Sequence, residues 1–212
     1  MINKELEHYL EGLIPGRNEL LTDMESYAKS HGVPIMELGA MEAMLQILRI
    51  QQPKKILEIG TAIGYSALRM AYTLPESLIV TVERDKKRLD VAREYLEKSG
   101  KSSQIRLLFG DALELRDEIK MFAPYDFIFI DAAKSQYRKF FETYLPFLGE
   151  NGIVFTDNVL FKGLVCREDI ENRNIRALAR KVRDFNKWLA GLKEFDTVFL
   201  PVGDGVAISR KR

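Results

Sequence analysis

The chain is poor in the residues that staple a fold or ligate soft metals. Its 212 residues include one cysteine, Cys166, and two histidines, His8 and His31. A single thiol forms no internal disulfide, and this Cys/His set is too small for a zinc site. Any metal must therefore be held mainly by oxygen. Long apolar runs are also missing. None approaches the ~20 residues that span a bilayer, and the first sixteen residues are studded with charge instead of carrying a signal-peptide core. Charge of one sign is not in excess, with 32 Lys+Arg against 31 Asp+Glu. No global field drives binding to nucleic acid, which leaves only local basic faces. These absences predict a cytoplasmic protein of a reducing compartment, away from membranes. What is present is ordinary for a globular chain: 46% hydrophobic and 30% charged residues, enough to bury a core without cross-links.

Glycine and proline divide the chain into a helical lead and a long alternating region. Leu6, Tyr9, Leu10 and Leu13 recur at helical spacing over residues 5–13, and Pro15-Gly16 ends that segment. Helices are expected over 18–30 and 36–50. After Pro53, short apolar runs at 55–59, 78–82, 105–109, 127–130 and 153–156 alternate with amphipathic stretches. Continuous apolar strands between helices predict an α/β fold with a parallel sheet buried on both faces. A charged helix over 169–189 and strands at 197–200 and 206–209 follow. Pro201-Val202-Gly203-Asp204-Gly205 reads as a hairpin turn, so the sheet should end in an antiparallel pair. The expected organisation is one domain, residues 1–212, with a helical extension over 1–52 and the core over 53–212.

In such a sheet, ligands bind beyond the carboxyl ends of the strands. The first strand is followed by Gly60-Thr61-Ala62-Ile63-Gly64, two glycines four apart, with Glu58 two residues upstream. A dinucleotide fingerprint needs glycine where Ala62 stands. A carboxylate at Glu58 would repel phosphate and attract an amino group or sulfonium. Both features disfavour a nicotinamide-dependent oxidoreductase; the plain alternative is a tight strand-to-helix turn. Glu83 at the second strand tip has the position that accepts two ribose hydroxyls, which NAD and S-adenosylmethionine both present. It could instead be a charge at a helix N-terminus, with Asp85 as the cap. Asp111, after the third strand, could take an adenine amino group or cap the next segment.

The fourth and fifth strand ends carry most information. Asp131 follows Phe127-Ile128-Phe129-Ile130, and Asp157-Asn158 follow Val154-Phe155-Thr156. Adjacent strands lie about 4.8 Å apart, so the two acids should meet. Two carboxylates that close repel unless a cation lies between them or one is protonated. An Asp/Asp/Asn oxygen set suits Mg²⁺, whereas two unrelated caps would need no convergence. Lys134 lies on the Asp131 loop; it is either a surface lysine or, beside a cation, a candidate general base. The intact set argues against a purely nucleic-acid-binding protein.

These motifs, the Glu-x-Gly-x3-Gly loop, the acidic second-strand tip, Asp-x-x-Lys and the Asp-Asn pair, resemble the metal-dependent class I O-methyltransferases that include the catechol and caffeoyl-coenzyme A enzymes. The resemblance spans about residues 34–209. Within the family, residues 33–36, 57–67, 157–165 and 201–209 are similar to the bacterial tRNA 5-hydroxyuridine methyltransferases. The resemblance implies a Rossmann-like, mostly parallel seven-stranded sheet with N-terminal helices. It implies S-adenosylmethionine bound by Met36, Glu58, Gly60, Ser66, Glu83, Asp111, Ala112 and Asp131. It implies Mg²⁺ or Mn²⁺ on Asp131, Asp157 and Asn158, with Lys134 as base and Asp131 beside it in catalysis. It also implies a homodimer, joined through the N-terminal helices, and a tRNA anticodon stem-loop as substrate, with a catechol or caffeoyl-type vicinal diol as the alternative acceptor. Ala62 stands where catechol methyltransferases carry a tyrosine, which argues against a simple catechol enzyme. Residues 167–187 hold seven Lys/Arg against four Asp/Glu, and the chain ends Arg210-Lys211-Arg212. These, and Arg84, Lys86, Lys87 and Arg88, could seat phosphates or could be solvated faces. Phe185 and Trp188 read as core contacts, not stacking platforms.

Overall fold

The computed structural model describes residues 4–212; the first three residues of the expected extension lie outside them. Three helices lead: α1 (Lys4–Gly12), α2 (Glu19–His31) and α3 (Leu38–Gln51). The alternating region follows: β1 (Lys55–Ile59), α4 (Tyr65–Thr73), β2 (Leu78–Glu83), α5 (Lys86–Ser99), β3 (Ile105–Phe109), α6 (Arg116–Lys120), β4 (Tyr125–Ile130), α7 (Tyr137–Tyr144) and β5 (Leu148–Thr156). The chain closes with α8 (Arg173–Ala190), β6 (Phe195–Leu200) and β7 (Val206–Lys211). The strands form one seven-stranded sheet in the order β3-β2-β1-β4-β5-β7-β6. The first five are parallel, and β7 runs antiparallel to both β5 and β6. The expected Rossmann-like α/β architecture with a C-terminal antiparallel hairpin is therefore present.

The two-residue period of the strands builds two cores. Ile56, Ile79, Phe127, Phe129 and Phe155 point to one face and pack with α2, α3 and α4. Leu57, Val80, Ile128, Ile130 and Val154 point to the other and pack with α7 and α8. Each large apolar side chain so buried contributes roughly 1.5–3 kcal/mol. The rings of Phe127 and Phe129 lie 6.1 and 5.9 Å from that of Phe155, a spacing that adds an aromatic term. Phe185 is buried and Trp188 packs half-buried beside Phe141, as core residues. No helix among the described residues is long and apolar enough to cross a membrane.

Helix ends follow local chemistry. Asn18 caps α2, Asp85 caps α5 through the amides of Lys87 and Arg88, and Asn172 caps α8. The last helix thus starts at Arg173, not at the expected residue 169, because the Asn172 side chain takes the Asn174 and Ile175 amides. The fifth strand starts at Leu148, five residues earlier than its apolar run, since Leu148 pairs with Tyr125 across an irregular register. Apolar counting does not see such a polar lead-in.

Candidate active site

The ladder of the sheet carries one residue past each strand and sets the acidic tips side by side. The Gly60 and Thr61 amides donate to the Val82 carbonyl, Gly110 N–H to Glu83, Asp131 N–H to Ile59, and Asp157 N–H to Ile130. Glu83, Asp131 and Asp157 consequently line one cleft of about 640 Å³, together with Gly60, Asp111 and Lys134. Gly60 makes this possible. It has φ +107, and a Cβ there would lie 1.9 Å from the Asp131 carbonyl oxygen. Only glycine lets the β1 loop press against the β4 tip.

At one end of the cleft Glu83 is buried, and its two oxygens take the Ala62 amide at 2.7 Å and the Asp85 amide at 2.8 Å. A carboxylate has about four acceptor positions, so these bonds fix its orientation and leave lone pairs toward the cleft. Ala62 sits at φ +47, the left-handed geometry that glycine occupies more easily, and its amide bond to Glu83 helps hold it there. Asp111 accepts the Leu113 amide at 2.9 Å and thus caps a turn. It also lies on the cleft wall, half-buried, 3.8 Å from the Arg84 guanidinium. Tyr144 of α7 donates its hydroxyl to the Ala112 carbonyl and so pins this loop. Met36 and Ala112 supply apolar wall.

Glu58 and Ser66 stand elsewhere. Glu58 is completely buried, takes the hydroxyls of Ser66 and Thr81, and does not line the cleft. Its position does not meet the expectation that it attracts a cationic ligand. It ties the first turn of α4 to β2, and burial pushes its carboxyl up to about 7 against the pull of the two hydroxyls. Ser66, buried with it, reaches the ligand space no more directly.

At the other end, β4 and β5 are neighbours with Ile130 opposite Thr156, so Asp131 and Asp157 converge as expected. Burial pushes Asp131 up to about 6, with Lys134 opposing. Asp157 is raised well above the carboxylate range, first by burial and then by Asp131. Two carboxylates this close hold two negative charges poorly, and a cation between them would relieve the repulsion. Asn158 completes an all-oxygen donor set, with its Oδ1 2.6 Å from Lys134 Nζ. These groups fit Mg²⁺ or Mn²⁺.

The segment after Asp157 is held from two sides. Tyr137 donates to the Asp157 carbonyl at 2.9 Å, Asn186 to Val159 at 2.7 Å, and Arg183 to Val165 at 2.8 Å and Arg167 at 2.9 Å. The β6–β7 turn takes its amides: Val159 N–H reaches Gly205 and Leu160 N–H reaches Asp204. Phe161, Lys162 and Asp204 line the cleft. Sequence reading missed these three, along with Tyr137 and Asn186. The Pro201–Gly205 motif had flagged the turn, though only as a connection. Arg183, counted in the basic segment, is half-buried and engaged with the Val165 and Arg167 carbonyls. His31 stacks on Tyr27 at 3.9 Å, and Cys166 is free and exposed.

Comparison with known proteins agrees with this arrangement. The O-methyltransferase family profile matches residues 15–212. A caffeoyl-CoA O-methyltransferase of Populus kitakamiensis is 30% identical over 96% of this chain and 91% of its own. A Staphylococcus aureus chain provisionally named a caffeoyl-CoA O-methyltransferase superposes with a TM-score of 0.92 at 38% identity, covering 97% of this chain and 98% of its own. The Podospora anserina methyltransferase PaMTH1, solved with S-adenosylhomocysteine bound, superposes at 0.86 with 27% identity, over 99% and 94% of the two chains. With the seven-stranded sheet, the acidic strand tips and a family match over nearly its whole length, this chain belongs to the O-methyltransferase family.

Proposed function

We propose that the chain transfers the methyl group of S-adenosylmethionine to the 5-hydroxyl of 5-hydroxyuridine at the wobble position of tRNA, giving 5-methoxyuridine. One observation carries the reading. A single cleft has a buried, oriented carboxylate at Glu83 on one side and the Asp131/Asp157/Asn158 corner with Lys134 on the other. The first suits a ribose diol and the second a chelating hydroxyl. The S-adenosylhomocysteine bound in the Podospora relative supports S-adenosylmethionine as the cofactor here, with Met36, Gly60, Asp111, Ala112 and Asp131 around it.

Asp131, Asp157 and Asn158 would hold Mg²⁺, whose Lewis acidity would make the acceptor hydroxyl easier to ionise. The rest falls to the chain. Glu83 fixes the ribose and therefore the direction of the methyl. Lys134 Nζ, held beside Asn158, takes the hydroxyl proton as the oxygen attacks the methyl carbon and the methyl–sulfur bond breaks, leaving S-adenosylhomocysteine. Phe161 and Asp204 close the acceptor side. 5-Hydroxyuridine offers two adjacent oxygens, the 5-hydroxyl and the 4-carbonyl, that would suit such a site. The similarity of residues 33–36, 57–67, 157–165 and 201–209 to the tRNA enzymes favours that acceptor, as do the cationic residues Arg84, Arg88 and Lys162 on the cleft wall. The Populus relative's activity supports the second reading, a small vicinal diol of catechol or caffeoyl type. The test is mass spectrometry of tRNA nucleosides from cells deleted for the gene. 5-Methoxyuridine should vanish and 5-hydroxyuridine accumulate; an unchanged nucleoside profile would remove tRNA as the acceptor. A homodimer through the exposed apolar side of α1 belongs to the same proposal.

A further inference from the structure

Three residues in the segment that carries Asn158 adopt backbone conformations that side chains disfavour. Asn158 has φ +58, Phe161 φ +46 and Lys162 φ +53. Asparagine tolerates this region, but phenylalanine and lysine do so only when their surroundings hold them. The hold on Phe161 and Lys162 comes from the turn between β6 and β7. Asp204 is used twice: its carbonyl takes the Leu160 amide at 3.0 Å and its carboxylate takes the Lys162 amide. Gly205, at φ +82, accepts the Val159 amide, and a Cβ on it would lie 2.2 Å from Leu160. The same turn rests on the start of α3, where a Cβ on Gly203 would meet Ala40 at 2.9 Å and Val202 sits 3.8 Å from the Cβ position of Gly39.

We infer that Asp204 is a positioning residue. Its carboxylate holds Lys162 in the left-handed conformation, and through the 158–163 turn it sets Asn158 Oδ1 toward Lys134 and the metal position. The geometry explains why a charged group is used. A carboxylate on a backbone N–H is a stronger acceptor than a neutral oxygen, and it must offset two unfavourable residues in sequence. It also explains the placement of a long turn against the helical lead: the acceptor wall is braced by α3, so Asp204 does not move with solvent. Asp204 lines the cleft and lies near enough to Asp157 to act on it by charge, but its hold on Asn158 runs through the backbone of Lys162.

The inference rests on the reading of Asn158 as a metal ligand, and its test separates the two. Amide hydrogen exchange over residues 158–163 reports the brace without any metal, and Mn²⁺ binding followed by electron paramagnetic resonance reports the site without turnover. Asp204→Ala should speed exchange across the segment and weaken Mn²⁺ binding about tenfold or more, with calorimetric affinity for S-adenosylmethionine unchanged. Asp204→Asn, which keeps an acceptor oxygen but loses the charge, should fall between Asp204→Ala and the unsubstituted chain in both. Lys162→Gly removes the conformational penalty, so Asp204→Ala/Lys162→Gly should recover much of the lost Mn²⁺ affinity. Unchanged exchange in Asp204→Ala overturns the inference. So does a loss of Mn²⁺ affinity that Lys162→Gly does not restore, since that would make the turn ordinary packing. Faster exchange in Asp204→Ala, with no Mn²⁺ bound even by the unsubstituted chain, would uphold the brace and overturn the metal reading alone.

Discussion

Each acidic strand tip has a distinct job because each has distinct partners. Glu83 is oriented by two amides and faces the cleft. In Glu83→Ala two charge-assisted hydrogen bonds to the ribose are lost, so S-adenosylmethionine affinity by calorimetry should fall at least roughly tenfold. Lys134 is the proposed base for the acceptor hydroxyl. Lys134→Ala should lower kcat by about 10²–10⁴ while leaving cofactor affinity intact; an equal loss in cofactor affinity would move Lys134 out of the proton-transfer role. Glu58 is the buried counterpoint. Its carboxyl, raised to about 7, binds a proton more tightly in the folded chain than in the unfolded one. Its contribution to stability is therefore full below about pH 4.5 and is lost as pH rises toward 7 and beyond, by up to about 3 kcal/mol. Glu58→Gln should flatten that part of the pH-stability curve measured by denaturant titration. A curve with the same slope between pH 5 and 7 would show that the group stays ionised.

Among the elements, the β1–α4 connection depends on one glycine. Gly60→Ala would drive a Cβ into the Asp131 carbonyl, backbone against backbone, and should destabilise the fold by about 4 kcal/mol or more in a thermal melt. The lead helix makes a different kind of prediction. Leu6, Tyr9 and Leu10 on α1 and Leu13 just after it stay exposed, and the proposed homodimer would cover them. Light scattering should give a dimer that Leu10→Glu/Leu13→Glu converts to monomer; a monomeric unsubstituted chain would refute that contact. The elements themselves were legible from apolar periodicity, because strands buried on both faces leave unbroken runs of Ile, Val and Phe. All seven strands fall where those runs stand. Asp131 and Asp157 were legible too, since adjacent strand ends must bring their next residues together. Glu58 was not, because sequence order places a residue on a strand but does not say which face of the sheet it meets; its even register with Ile56 turns it toward α4. Phe161, Asp204 and Asn186 were not legible either. Phe161 and Asp204 come to the cleft from turns, and Asn186 holds the Val159 carbonyl from α8 without lining the cleft, all through contacts distant in sequence.

The whole molecule has no net field to speak of, so recognition of a nucleic acid must be local. Several of its cations are internally engaged: Arg183 and Arg176 bond loop carbonyls, and Arg212 pairs with Asp196 at 2.9 Å. Arg173, Arg180 and Lys181 remain exposed and, with Arg84 on the cleft wall, are the proposed phosphate contacts; Arg210 pairs with Ile153, at the end of the sheet away from the cleft, and is not one of them. Three or four such contacts give log activity against log salt a slope of about −2 to −3 at subsaturating tRNA. Turnover of a neutral phenol should show almost none. The central claim is tested most directly by incubating the purified protein, Mg²⁺ and methyl-labelled S-adenosylmethionine with tRNA that bears 5-hydroxyuridine and, separately, with a catechol. The account predicts label in 5-methoxyuridine, abolished by chelator and by Lys134→Ala. Label in the catechol at enzyme-like rates, with none in the tRNA, would contradict it.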